Sequence, residues 1–145
     1  MTTEQLRHRM PPILKALKER SLRGRTPVEG LRRPECAYHG WDTVHADAAS
    51  WEPFAPGDAF GGLEAHHCFK GTVTLPEASA GKRVVCLVST GASDIWNNNN
   101  PQFLAYVDGR LVCGLDVNHN EFDLAACAVP GESHELALYV YCNTP

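Results

Sequence analysis

Residues 103–115 read F-L-A-Y-V-D-G-R-L-V-C-G-L. Two runs of apolar and aromatic residues flank Asp108-Gly109, a dipeptide suited to the two left-handed positions of a type I′ turn, so the stretch reads as a β-hairpin. Working outward, 68–75, 83–89, 121–124 and 134–141 are further short runs of strand formers bounded by turn residues. Some alternate cleanly: Phe69, Gly71, Val73 and Leu75 share one phase, as do Leu136, Leu138 and Val140. Leu75-Pro76 and a turn at Gly81 separate the first run from the next. Short strands without helices between them predict an all-β domain, an antiparallel β-sandwich or jelly roll of about eight strands. The expected inward positions are Phe69, Val73, Leu75, Val85, Leu87, Leu104, Leu136, Leu138 and Val140, with Tyr106 on the face of Leu104.

Ahead of this region, Leu6, Met10, Ile13, Leu14 and Leu17 fall at helical intervals. Pro11-Pro12 suits the first turn of a short amphipathic helix starting near Ile13. Gly24, Pro27, Gly30 and Pro34 then punctuate a stretch with little apolar content, which reads as a linker or extended arm. Residues 38–65 carry Trp41 and Trp51 without a sustained period and predict irregular loops with a short edge strand. The expected division is a helical lead-in and basic arm over 1–34 and a sandwich domain over 35–145.

At 145 residues and 43% hydrophobic the chain suits one core. Its net charge of -4 conceals an asymmetry: residues 1–34 hold nine Lys or Arg against three acids, and the remainder holds four against fourteen. A basic tip on an acidic body suggests docking. It does not suggest nucleic acid, because the body has no basic stripe with interleaved aromatics. No apolar run of about 18 residues exists to span a bilayer. The first 30 residues lack the continuous apolar stretch of a signal peptide, and Pro11-Pro12 breaks the pattern of a transit peptide, so a cytoplasmic chain without membrane contact is expected. The six cysteines stand singly, with no C-x-x-C pair, and are expected to be buried free thiols.

Four strings in order, F-K-G-T-V-T-L-P from Phe69, G-K-R-V-V-C-L from Gly81, P-Q-F-L-A-Y-V-D-G-R from Pro101 and G-L-D-V-N-H-N-E-F-D-L from Gly114, form an ensemble that resembles the amino-terminal segment of family 38 α-mannosidases of the cytosolic and vacuolar type. The likeness spans about Trp41 to Tyr141. It implies a sandwich of galactose-binding-like topology preceding a zinc-dependent catalytic barrel. On that resemblance the chain is a non-catalytic accessory domain, with no cofactor of its own and zinc in the catalytic domain of the parent enzyme. Its expected partners are that catalytic domain, a second subunit and glycan. The alternative is a carbohydrate-binding module acting on its own.

The family's zinc is held by a histidine-x-aspartate pair, a further aspartate that also serves as nucleophile, and a distant histidine. His45-Ala46-Asp47 supplies the letters of the pair, but in a loop-like stretch with Trp51 offset, and is read as surface polar residues. His66-His67 precedes Cys68, yet neighbours on a strand point to opposite faces and do not readily share one ion. Asp94, Trp96 and Asn98, in a loop with four consecutive asparagines, offer the aromatic face and planar amides that sugars bind; the carboxylate-rich spacing of a calcium loop is missing. Asp116 and His119 follow the hairpin. They are read first as fixing the loop through backbone hydrogen bonds, and otherwise as lining a sugar site. The candidate substrate-binding set is therefore Asp94, Trp96, Asn98, Asp116 and His119, with no catalytic residue and no metal ligand expected in this chain.

Overall fold

A computed structural model describes residues 3–36, 40–91 and 101–143. The elements run α1 (Thr3–Ser21), β1 (Leu31–Arg33), α2 (Trp41–His45), β2 (Glu52–Phe54), β3 (Ala65–Thr74), β4 (Val84–Leu87), β5 (Gln102–Val107), β6 (Arg110–Leu115), β7 (Glu121–Ala125) and β8 (Ser133–Cys142). Six strands form one antiparallel sheet in the order β2-β1-β3-β8-β5-β6, and β4 pairs with β7 in a second sheet. The fold is thus all-β and antiparallel, with an amino-terminal helix.

The two sheets share one apolar core. Phe69, Phe103, Ala105, Leu136 and Val140 of the larger sheet meet Phe122 and Leu124 of the smaller. Phe54 and Phe60 extend this cluster, with ring centroids 4.6 and 5.0 Å from that of Phe69. The hairpin anticipated at Asp108-Gly109 is present, with φ of 50° and 73° at the two turn residues, as a type I′ turn requires.

Two strand registers differ from expectation. In β5, Phe103 and Ala105 are buried in the core while Leu104 is 38% exposed on the opposite face, and Tyr106 joins it there in a second cluster. Both faces of this strand are apolar or aromatic, so alternation carries no polar marker to set its phase. In β4, Val84, Cys86 and Val88 pack on the core, whereas Leu87 is 41% exposed and Val85 lies opposite the exposed Asp123. That phase comes from the partner strand, where Phe122 opposite Cys86 points inward. Phe69, Val73, Leu75, Leu136, Leu138 and Val140 face the core as anticipated.

The lead-in also departs from its reading. The helix is continuous through Pro11 and Pro12 rather than starting near Ile13. Each proline removes one backbone donor, and on a helix whose described side chains are exposed the freed carbonyls are open to water. Residues 31–33, read as arm, form a strand between β2 and β3. Their arginines serve the sheet: Arg32 Nη1 donates to the carbonyls of Ala49 at 3.1 Å and Trp51 at 2.9 Å, and the Arg33 guanidinium lies 5.4 Å from the Phe54 ring centroid. Within 38–65 the edge strand is β2, and α2 was not anticipated. All six cysteines are unpaired; Cys36, Cys68 and Cys142 are buried, Cys86 and Cys113 half-buried, and Cys127, against expectation, exposed.

Candidate functional site

The six-stranded sheet turns a second face away from the main core, and cross-strand register arranges it in rows. His66, Tyr141 and Gln102 form one row, Cys68, Tyr139 and Leu104 the next, and Lys70, Ala137 and Tyr106 the third. Helix α2 lies over the third row. Its Val44 is 1% exposed and packs with Cys36, Cys68, Tyr106 and Ala137. Lys70 pins the helix end, donating from Nζ to the Ala46 carbonyl at 2.8 Å while lying 3.2 Å from Glu135 Oε1. His45 Nε2 sits 3.1 Å from the Gly109 carbonyl, which ties the other side of α2 to the hairpin.

Apart from the buried Cys68, the first two rows form the floor of a groove of about 1400 Å3. Gly114, opposite Leu104 on β6, adds no side chain to the wall, and a Cβ built there meets nothing nearer than the Phe103 carbonyl at 3.8 Å. Acidic residues stand around it: Glu35 and Glu64 on one side, Asp116 on the other, with no Lys or Arg among the described lining residues.

Among the described residues, a specific contact ties two strands of the floor together. Tyr139 Oη lies 2.7 Å from His66 Nδ1, with the two rings 5.7 Å apart, and Tyr141 flanks the same imidazole at 5.1 Å. The Asp116 rim is equally fixed. Its Oδ1 accepts the backbone N–H groups of Asn118 and His119, both at 2.7 Å, and its own N–H donates to the His119 carbonyl at 3.0 Å. The His119 and Asn118 N–H bonds hold the Asp116 carboxyl below its ordinary value, so near neutrality it is an anion that accepts hydrogen bonds. Beneath the floor, burial pushes the Cys68 thiol up to about 12, and Cys36 is raised for the same reason. Both remain thiols at neutral pH, and neither is an activated nucleophile. The site is therefore equipped to bind: it has flat aromatic surface, an oriented imidazole and fixed acceptors.

Of the residues singled out from sequence, Asp116 and His119 line the groove. His119 bonds the loop through its backbone carbonyl, and its imidazole Nδ1 lies 3.4 Å from Asp116 Oδ1. Asp94, Trp96 and Asn98 fall outside the described residues, as does the Trp41 side chain. Gln102, the first strand residue after that loop, is in the groove. His45 and Asp47 have local duties, Asp47 Oδ1 accepting the Ala49 N–H at 2.9 Å. His66 and His67 do point apart: His67 is buried on the core side, its Nε2 3.0 Å from the Gly61 carbonyl. Among the described residues no cluster of three or more His, Cys, Asp or Glu converges as a metal site, and no helix is long and apolar enough to cross a membrane.

Sequence reasoning weighed His66 only as a metal ligand and passed over Tyr139, Tyr141 and Gly114. A signal was present in the last strand, where the phase opposite Leu136, Leu138 and Val140 carries two tyrosines two residues apart. Comparisons with models of protein families, with curated proteins and with solved structures find no match to this chain.

Proposed function

We propose that this chain is a non-catalytic glycan-binding module of galactose-binding-like β-sandwich topology, the accessory domain of a zinc-dependent α-mannosidase of the cytoplasm. The observation that carries the binding reading is the open pair of rows, His66–Tyr141–Gln102 and Tyr139–Leu104, facing the gap left by Gly114. A pyranose has an apolar C–H face that stacks on an aromatic ring and a rim of hydroxyls that needs fixed acceptors and donors. Tyr139 and Tyr141 supply the first; Gln102, Glu64 and Asp116 supply the second. The raised thiols and the committed Asp116 carboxylate support binding rather than nucleophilic or acid catalysis.

Attachment to an α-mannosidase rests on the resemblance of the four strings between Phe69 and Leu124. In that setting zinc belongs to the catalytic domain, and the groove presents mannosyl residues to it. Because the described groove walls all belong to this chain, the same geometry also suits a carbohydrate-binding module acting alone. The test is amide chemical-shift mapping with α-mannobiose, run beside a chromogenic α-mannoside assay. Shifts confined to the residues around His66, Tyr139 and Gly114, with no hydrolysis, are expected. Shifts elsewhere, or turnover by the purified chain, would overturn the reading.

A further inference from the structure

Helix α1 carries four exposed large apolar side chains among its described residues. Met10, Ile13, Leu14 and Leu17 form one stripe and are 46%, 51%, 55% and 59% exposed. At 100° per residue, Arg7 borders that stripe on one side and Arg9 and Arg20 on the other, while Glu4 and Glu19 lie on the far face. A helix of 19 residues with two prolines inside it is marginal in water unless its stripe is covered. Its own body does not cover it, since every described side chain from Thr3 to Arg20 is exposed. Pairing α1 with another α1 brings like charges together on both flanks.

The groove has the complementary character. Its floor is apolar and aromatic through Leu104, Tyr139 and Tyr141, and its rim is acidic through Glu35, Glu64 and Asp116. The size agrees: the eight residues from Met10 to Leu17 make a cylinder about 12 Å long and about 10 Å across, on the order of 1000 Å3, against a groove of about 1400 Å3. The helix does not sit in its own groove, every described side chain from Thr3 to Arg20 being exposed, and the occupant the charges fit is therefore the helix of a second copy. We propose that α1 of one copy docks in the groove of a second copy, apolar stripe to floor and arginines to acidic rim, so that the chain self-associates by helix exchange. The inference uses the groove's shape and charge and does not rest on its sugar reading, and helix and sugar would compete for the same floor.

The test is sedimentation of the full chain, without sugar, at about 0.05 M and about 0.5 M salt. Self-association at low salt, weakened at least about tenfold at high salt, is expected. Two variants should each be monomeric: Arg9→Glu with Arg20→Glu on the helix, and Glu35→Lys with Glu64→Lys on the rim. All four positions are exposed, so the thermal transition should be kept. Mixing the two variants should restore a heterodimer, because the reversed charges again match. A monomer at every salt concentration, a mixture that stays monomeric, or variants that associate like the parent would overturn the proposal. So would a solution monomer whose α1 instead binds vesicles containing phosphatidylserine. Failure here leaves the glycan reading untouched, since that reading is scored by shifts at the groove floor.

Discussion

The hydroxyl of Tyr139 and Nδ1 of His66, on neighbouring strands and 73 residues apart, meet at 2.7 Å on the groove face of the sheet. Tyr139 is paired in register with Cys68, not His66, so the contact is diagonal across β3 and β8. It fixes the imidazole plane at the groove floor. Replacing Tyr139 by Phe keeps the ring surface and removes the hydroxyl from the imidazole, and should weaken α-mannobiose binding by roughly 5- to 10-fold, the size of one hydrogen bond. Titration calorimetry on the two proteins measures this, with an unchanged melting temperature as the control.

Gly114 provides a test by addition. A side chain there meets no backbone nearer than 3.8 Å at its Cβ, and an aromatic residue suits a strand better than glycine does. Gly114→Phe should keep or raise the melting temperature and abolish sugar binding by filling the groove. Retained binding would place the sugar elsewhere.

The register of β5 is checked by two truncations. Phe103 is buried in the core and Leu104 stands on the groove face. Phe103→Ala should cost about 3–5 kcal/mol of unfolding free energy, and Leu104→Ala about 1 kcal/mol or less. Urea denaturation distinguishes them, and the reverse order would restore Leu104 to the core.

Acid should loosen the hairpin at Asp108. Its Oδ2 lies 2.9 Å from His134 Nδ1 and its Oδ1 accepts the Glu135 N–H at 2.9 Å. The His134 contact first, then the Glu135 bond, lower its pKa. A carboxylate depressed in the folded state stabilises fully above its unfolded value and loses that contribution as pH falls through the folded one. Asp108→Asn should therefore melt below the parent at neutral pH, by roughly 1–3 °C after allowing for solvent screening. The gap should close as pH drops below the ordinary carboxylate range, and a gap independent of pH would contradict the linkage.

The hairpin at Asp108-Gly109 was legible because its turn chemistry permits few alternatives, and β3 and β8 because polar residues mark their outward phase. In β5 and β4 both phases are apolar, so only pairing with β8 and β7 sets them. Strand β1 was hidden for another reason: in a three-residue strand with two arginines, the side chains that signal an exposed arm are bound to the Ala49 and Trp51 carbonyls and to the Phe54 ring. The groove was half visible. Asp116 and His119 stood out as polar residues after a turn, but the floor needs three strands brought into register, and no single stretch of sequence shows His66 beside Tyr139 and Tyr141.

The most direct test of the account is titration of α-mannobiose into the purified chain and into Tyr141→Ala, with mannose release followed in the same samples. The account predicts saturable binding near a millimolar dissociation constant, about 4 kcal/mol, loss of that binding in the variant, and no mannose released. Absence of saturation at tens of millimolar sugar, equal binding by Tyr141→Ala, or release of mannose would contradict it.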